Sequence, residues 1–241
     1  MIASPIVILG GRSDIGRALA RAYAARGCTV ILAARGDVEA ERRDLELRTG
    51  TTARAVSFDV TDGAPDTFFE RLGERPGTVV MVAGILGDQA QSAAEDNAAA
   101  SVMETNYAGP ARYLLAAARA MAGVRDGCII GISSVAGDRG RAHFIYGSAK
   151  AGLSAFLSGL RNSLAKKGVA VITVKPGFVA TQMTAGMKLP KLLTAQPEEV
   201  AAAIVRAQQR GKDIVYVRPV WRWIMLAIRL IPETIFKRLS I

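Results

Sequence analysis

The chain has 241 residues, half of them hydrophobic, two cysteines and a formal charge of +10. That length suits one large α/β domain with a core on both faces of a sheet, and two complete domains would be cramped. The basic excess favours anionic partners such as anionic lipid or a phosphorylated substrate. Nucleic acid is set aside because the arginines are scattered, with no recognition-helix, zinc or RNA-binding signature.

Apolar runs alternate with helical patterns along the whole chain. Strands are expected at 5–10, 28–34, 53–59, 78–83, 127–133, 169–175 and 213–217. Helices are expected at about 14–26, 37–49, 64–73, 94–123, 146–167 and 197–210. Strands such as Val79-Val80-Met81-Val82-Ala83 are apolar without alternation, as parallel strands covered on both faces are. The fold class is therefore α/β: a single Rossmann-like domain with a doubly wound, mostly parallel, seven-stranded sheet and helices on both faces. Residues 1–217 form this domain and 218–241 a basic, apolar helical tail. A strand pattern begins at Pro5, leaving no room for a secretory leader. Cys28 and Cys128 lie in apolar runs, the pattern of buried free thiols in a reducing compartment, so a cytoplasmic location is expected.

In such a sheet, ligands bind beyond the carboxyl ends of the strands, and the polar motifs gather there. The first strand runs into Gly10-Gly11-Arg12-Ser13-Asp14-Ile15-Gly16. Glycine allows a sharp turn and lets a pyrophosphate approach the helix N-terminus, where free N–H groups and the dipole favour an anion. Lying between strand and helix, this is the context of a dinucleotide site. Asp14 is unusual there, since a carboxylate repels pyrophosphate unless it points away, although an acid suits a first helical turn. The second strand ends Ala33-Ala34-Arg35. An acid there would take the adenosine ribose 2′-hydroxyl and mark NAD. None is present, and Arg35, with Arg12, is placed to meet a 2′-phosphate, which favours NADP; the bland alternative is a solvated surface arginine. Asp88 either lines the pocket mouth or caps the next helix.

Tyr146 and Lys150 are four residues apart, on one face if the segment is helical. A nearby ammonium favours the phenolate and is expected to lower the phenol pKa from its ordinary value near ~10 toward neutrality. Such a phenol can give a proton to a carbonyl oxygen or take one from an alcohol. His143, the sole histidine, lies three residues before Tyr146 and either touches substrate or is a bland loop residue. The apolar, irregular segment 181–196 reads as a lid. No metal site is read from the sequence.

The tail holds both tryptophans, and Arg218, Arg222 and Arg229 are spaced to share one helical face. Its apolar run is too short to span a membrane, which takes ~20 residues. A basic stripe beside Trp, Ile, Met and Leu is the pattern of a helix lying in a membrane interface. The alternative is an arm buried in an oligomer.

The glycine-rich turn, Asn106, Ser133-Ser134 and Tyr146-Gly147-Ser148-Ala149-Lys150 together resemble the short-chain dehydrogenase/reductase family, with Leu9 and Asp14 as departures from its glycine motif. The resemblance implies that Tyr146 is the general acid, that Lys150 tunes it and holds the nicotinamide ribose, and that Ser134 polarises the substrate carbonyl. It further implies that Asn106 holds a water linking Lys150 to solvent. Asp59 and Val60 correspond to the adenine-contacting segment, Ala83 and Gly84 to the end of the fourth strand. Pro176, Gly177, Val179 and Thr181 fall in the segment that binds the nicotinamide carboxamide. Gly10, Arg12, Ser13, Asp14, Ile15 and Arg35 complete the cofactor set.

Over nearly its whole length the chain is most similar to the decaprenylphosphoryl-2-keto-pentose reductases. The particular marks are Leu9-Gly10-Gly11-Arg12-Ser13-Asp14, Gly84-Ile85-Leu86-Gly87-Asp88 and Ser133-Ser134-Val135-Ala136-Gly137-Asp138-Arg139-Gly140-Arg141. That resemblance implies a lipid-linked, anionic keto-sugar substrate, with Arg139 and Arg141 facing its phosphate. It also implies a flavin oxidase partner, homo-oligomerisation, peripheral contact at the inner face of the membrane, and NADH as the reductant. The rivals are a soluble ketoreductase of 3-oxoacyl or steroid-like carbonyls and a non-catalytic cofactor-binding partner.

Overall fold

The computed structural model describes residues 2–123 and 126–239. Strands β1 (Ile6–Leu9), β2 (Val30–Ala34), β3 (Ala53–Ser57), β4 (Thr78–Met81), β5 (Gly127–Ile132) and β6 (Val169–Pro176) alternate with helices. The helices are α1 (Asp14–Ala24), α2 (Glu39–Thr49), α3 (Pro65–Arg71), α4 (Gln89–Ala94), α5 (Asp96–Met103), α6 (Gly109–Ala120) and α7 (Phe144–Leu164). The short strands β7 (Phe178–Val179) and β8 (Thr194–Ala195), then α8 (Pro197–Gln209), β9 (Ile214–Val217), α9 (Val220–Leu230) and α10 (Glu233–Phe236) complete the order.

Seven strands form one sheet in the order β3-β2-β1-β4-β5-β6-β9. Every pairing in it is parallel, Ile6 lying between Val30 and Thr78. β1, β2, β4 and β5 are buried at every position, because side chains of both pleat faces meet helices. Ile6, Ile8, Leu19, Ile130 and Val200 pack on one side. Val7, Leu9, Met81, Phe68, Tyr113 and Leu157 pack on the other. There Phe58, Phe68 and Tyr113 meet edge to face at 4.9–5.8 Å. The chain reverses direction across the sheet between β1 and β4, which opens a crevice at their carboxyl ends.

One expected helix is broken. Instead of a single helix over 94–123, Glu95 is extended (φ −127°, ψ 117°) between α4 and α5, and Glu104–Ala108 forms a π turn before α6. Pro110, in the first turn of α6, needs no intrahelical N–H partner. The extra residue of a π turn re-aims the side chains on it, and Asn106 ends fully buried. Of the two roles expected for Asp88 the capping one holds, and one shorter difference accompanies the break. Asp88 accepts from Gln91 N at 2.8 Å and so caps α4, and α7 begins at Phe144, two residues before the expected start.

The tail departs from expectation in its arginines. Arg218 precedes α9, has φ +57°, and donates to Leu192 O at 2.6 Å and to Glu199; it is not on the stripe with Arg222 and Arg229. The tryptophans point opposite ways. Trp221 and Met225 are buried against Val135, with Phe178, Leu193 and Tyr216 around them, while Trp223 is 64% exposed. The far end of α9 is held by Arg139, which donates to the carbonyls of Ile228 and Ile231 at 2.6 Å and to Glu233 at 2.9 Å. Its guanidinium also stacks on Phe236 at 3.7 Å. A cation there satisfies orphan carbonyls and the negative end of the helix dipole. Arg139 is therefore spent on the fold and does not face a substrate phosphate.

Arg139→Ala should leave the Ile231 carbonyl without a donor and the Ile228 carbonyl with only the Ile231 N–H at 3.3 Å, at a cost of about 2 kcal/mol. The melting temperature should fall by roughly 4–8 °C, with protease cleavage appearing within 218–239. An unchanged melting temperature with an intact tail would contradict this account of the clamp.

Candidate active site

A cavity of about 870 Å³ opens at the carboxyl ends of β1, β2, β4, β5 and β6. Every residue assigned to the cofactor from sequence lines it: Gly10, Arg12, Ser13, Asp14, Ile15, Arg35, Asp59, Val60, Ala83, Gly84, Tyr146, Lys150, Pro176, Gly177, Val179 and Thr181. Ser134 lines it too, whereas Asn106 stands behind the wall.

At one end the chain turns through Gly10, whose φ of +105° and the Ala83 amide 2.7 Å from where a Cβ would stand exclude a side chain. Ser13 caps α1, accepting from Gly16 N at 3.0 Å and donating to Gly10 O at 2.8 Å. The amides of Asp14 and Ile15 head the helix, beyond the reach of its own carbonyls, and both residues line the cavity. This cradle suits the pyrophosphate of a dinucleotide. Asp14 does not face that position unpaired. Its Oδ1 accepts from Arg17 at 2.7 Å and its Oδ2 from Gln182 N at 2.8 Å, so it fastens the segment after β7 to the first helix. That segment, the expected lid, folds over the cavity with Gln182, Met183 and Met187 on its wall. Its ends are tied by the pairing of β7 with β8.

At the end of β2, Arg12 donates to Arg35 O at 3.2 Å and pairs with Glu41 at 3.3 Å, while the Arg35 side chain is exposed. Asp59 accepts from the backbone and side chain of Thr61 at 2.9 and 2.8 Å. The Thr61 amide, aided by its hydroxyl and by Arg35, holds that carboxyl below its usual range despite burial.

At the other end α7 places Tyr146 one turn before Lys150. Lys150 is 4% exposed and donates to Ile132 O at 3.1 Å. Burial lowers its pKa to about 8. Tyr146 does not behave as expected from the sequence. Its ring centre lies 5.6 Å from the ammonium, and burial pushes the phenol up to about 12, with the Ser134 hydroxyl working the other way. Desolvation of the phenolate outweighs the neighbouring lysine. Ser134 accepts from Ala136 N at 3.1 Å, which holds its hydroxyl at the start of a 3₁₀ turn. Ser133 turns away, bonding Lys150 O at 2.8 Å and Ser154 Oγ at 2.7 Å. Asn106 donates to Ile85 O and Val102 O, both at 2.8 Å. Its Oδ1 is buried without a protein donor and lies on the Gly84 side shared with Lys150 Nζ. His143 lines the cavity and is exposed; Asp88 does not line it.

These features decide the comparisons. A family model described as short chain dehydrogenase matches residues 4–191. The chain belongs to the short-chain dehydrogenase family. It is 39% identical over 244 residues to an uncharacterized oxidoreductase of Mycobacterium tuberculosis, covering 98% of this chain and 97% of that one. A short chain dehydrogenase from Burkholderia cenocepacia in complex with NADP superposes with a TM-score of 0.83 at 22% identity, covering 100% of this chain and 99% of the other. A 3-oxoacyl-[acyl-carrier protein] reductase from Brucella melitensis in complex with NAD gives 0.79 at 24% identity, covering 88% and 95%. This short-chain dehydrogenase is an NAD(P)-dependent oxidoreductase.

Three site residues escaped sequence reasoning. The Asp14–Arg17 pair has the i, i+3 spacing of a helical ion pair and was findable. Gln182 had no signal. Trp221 is the largest omission: it lines the cavity, donates to Leu193 O at 3.1 Å, and lies so close to Gly177 that a Cβ there would stand 2.0 Å from its ring.

Asp14→Ala should free the Gln182 amide without touching the catalytic end. The loss of one charge-assisted bond, about 1.4 kcal/mol, corresponds to roughly tenfold faster amide exchange there. Hydrogen exchange on the cofactor-free protein checks this; unchanged protection at Gln182 would rule out the fastening role.

Proposed function

We propose that this dehydrogenase works as a ketone reductase on a polyprenylphosphoryl 2-keto-pentose, with NADPH favoured over NADH. The observation that carries the reductase reading is the meeting of Ser134, Tyr146 and Lys150 in one cavity with the α1 cradle. The cofactor, when bound, supplies the hydride. Gly10 and the amides of Asp14 and Ile15 would hold its pyrophosphate, Lys150 its nicotinamide ribose, and Pro176, Gly177, Val179 and Thr181 its carboxamide end. Arg35, with no acid at the end of β2, supports the 2′-phosphate and hence NADP.

Charge grows on the carbonyl oxygen during reduction, and Ser134 and Tyr146 offer their hydroxyls to it. A phenol pushed up to about 12 keeps its proton at neutral pH, as a donor must. The Lys150 ammonium stabilises the phenolate left behind, and Asn106 Oδ1 stands on the path by which a proton returns to Lys150. The lid, through Met183 and Met187, and Trp221 cover the cavity and limit the entry of water.

The lipid-linked substrate is supported by the outer face of the tail. Val220, Trp223, Leu226 and Leu230 of α9 and Ile235 of α10 are exposed, beside Arg222, Arg229, Lys237 and Arg238. Such a face suits an anionic membrane surface, while the inner face of the same helix, through Trp221, walls the cavity. Among the described residues no helix is long and apolar enough to cross a membrane. A 2-keto sugar arises by oxidation of its alcohol, so a flavin oxidase partner would supply the substrate, and a homo-oligomer is the expected assembly. The apolar lid also suits a second reading, a 3-oxoacyl ketoreductase like the Brucella protein.

Tyr146→Phe should lower turnover by about 10³-fold or more while cofactor binding, followed by calorimetry, persists. As pH rises through about 8, Lys150 loses its proton and with it the support for the phenolate. Reduction by the unaltered protein should therefore decline about tenfold per pH unit above that point. An active Phe variant, or a rate that climbs through pH 9, would refute the assignment. The substrate is tested with NADPH and NADH in vesicles bearing the prenylphosphoryl keto-pentose, against a soluble 3-oxoacyl thioester. Preference for the thioester, with no retention on anionic vesicles, would replace the lipid reading by the second one.

A further inference from the structure

Arg141, between β5 and α7, lines the cavity together with His143 and Tyr146. Its Nε is sealed from solvent and meets no hydrogen-bond acceptor among the described residues. The other arginines that touch the cavity or its lid have acid partners or are exposed, although the Arg218 Nε is likewise sealed without an acceptor. Arg12 pairs with Glu41, Arg17 with Asp14, Arg218 with Glu199, and Arg35 is exposed. The acid nearest in sequence, Asp138, is taken by Lys175 and by the Tyr216 hydroxyl at 2.8 Å. Burial lowers the Arg141 pKa, only partly offset by Asp138. A half-buried cation with a sealed, unmatched N–H is costly unless something outside the protein completes it.

The sheet order says which ligand that is. Arg12, Arg35 and Asp59 follow β1, β2 and β3, the half of the crevice for the dinucleotide's phosphates and adenosine. Arg141 follows β5, on the far side of the switch point, with the catalytic tyrosine. We propose that Arg141 anchors an oxyanion carried by the ketone substrate, a phosphoryl group above all, and so sets the span between that anion and the carbonyl at Ser134 and Tyr146. The planar guanidinium matches phosphate or carboxylate oxygens in pairs, with a geometry lysine cannot copy. This inference rests on the reductase reading of the site and not on the membrane reading.

The test uses the full-length protein with NADPH and three ketones: a keto-pentose, its phosphate ester, and a keto acid of similar size. The kcat/KM for the phosphate ester should exceed that for the neutral sugar by about 100-fold, mostly through KM. Arg141→Gln should bring that ratio close to one, and Arg141→Lys should restore part of it. Preference for the keto acid, lost in Arg141→Gln, would support the oxyanion site with a carboxylate as its occupant. Equal use of charged and neutral ketones by the unaltered protein, or a ratio untouched in Arg141→Gln, would overturn the proposal while leaving the reductase intact. A second readout does not depend on turnover. With NADP⁺ saturating the cofactor end, methyl phosphate should broaden in ³¹P spectra of the unaltered protein and not of Arg141→Gln. Broadening without reduction of any ketone would reject the reductase reading and keep the anion site; no difference between the two proteins would reject the site.

Discussion

A buried ammonium governs the arrangement of this molecule. Lys150 is almost wholly enclosed, with its Nζ on the carbonyl of Ile132 at the end of β5. Enclosing a charge is expensive, and a protein tolerates it only where hydrogen bonds fix the group. Here the fixing is done from both sides. Ser133, the residue directly after β5, bonds the carbonyl of Lys150 and the hydroxyl of Ser154, so helix and strand are joined at the point where the charge sits. Ser134, one residue on, is thereby turned into the cavity. The adjacent serines divide the work: one holds the frame and the other stands in the cavity wall. Below pH of about 8 the folded chain bears this charge at a cost the unfolded chain does not share, so the site is maintained at the expense of stability.

The substrate end is closed by elements that come from far along the chain. α9 seals the cavity with Trp221, Trp221 holds the carbonyl of Leu193, and Arg218 holds that of Leu192. The lid is thus anchored to the tail at one end and to α1, through Asp14, at the other. Arg139 in turn secures the C-terminal end of α9. A disturbance of the tail would therefore be felt in the pocket wall. The membrane reading and the reductase reading share one helix, whose inner face shapes the cavity and whose outer face stays exposed.

What the sequence showed was local. The Gly10 turn, the Tyr146–Lys150 spacing and the apolar strands each depend on residues within a few positions of one another, and the period of the pattern names the element. The carboxyl-end rule then gathered them into one site. Three things lay outside that logic. The π turn at Glu104–Ala108 interrupts a periodic run that gave no warning apart from Gly109 and Pro110. The bond from Gln182 to Asp14 spans 168 positions, and the Trp221 contact with Gly177 depends on where α9 docks. The phenol pKa failed for a different reason: spacing reveals which charges are neighbours, but not how dry the space between them is. A neighbouring ammonium lowers a phenol's pKa while burial raises it, and here burial prevails.

The basic excess is best understood by asking where each cation goes. Many are neutralised on the surface, as Arg42 is by Glu39 and Glu46 and Arg119 by Asp66. Pairs of that exposed kind contribute little to stability. Arg139 and Arg218 act on backbone carbonyls as well as acids, and so shape the tail and the lid. Arg222 and Arg229 lie on the exposed side of α9, where a charged surface and an apolar stripe coincide. Arg141 belongs to none of these groups. It is enclosed enough to be costly and has no acceptor for its Nε, in a wall otherwise lined by paired or exposed arginines. A charge excess spread evenly over a surface says only that anions are welcome. A single guanidinium without an acceptor for its Nε, in the wall it shares with Tyr146, singles out one place, and on the proposal that it anchors the substrate's oxyanion, the substrate's own charge is what this pocket reads.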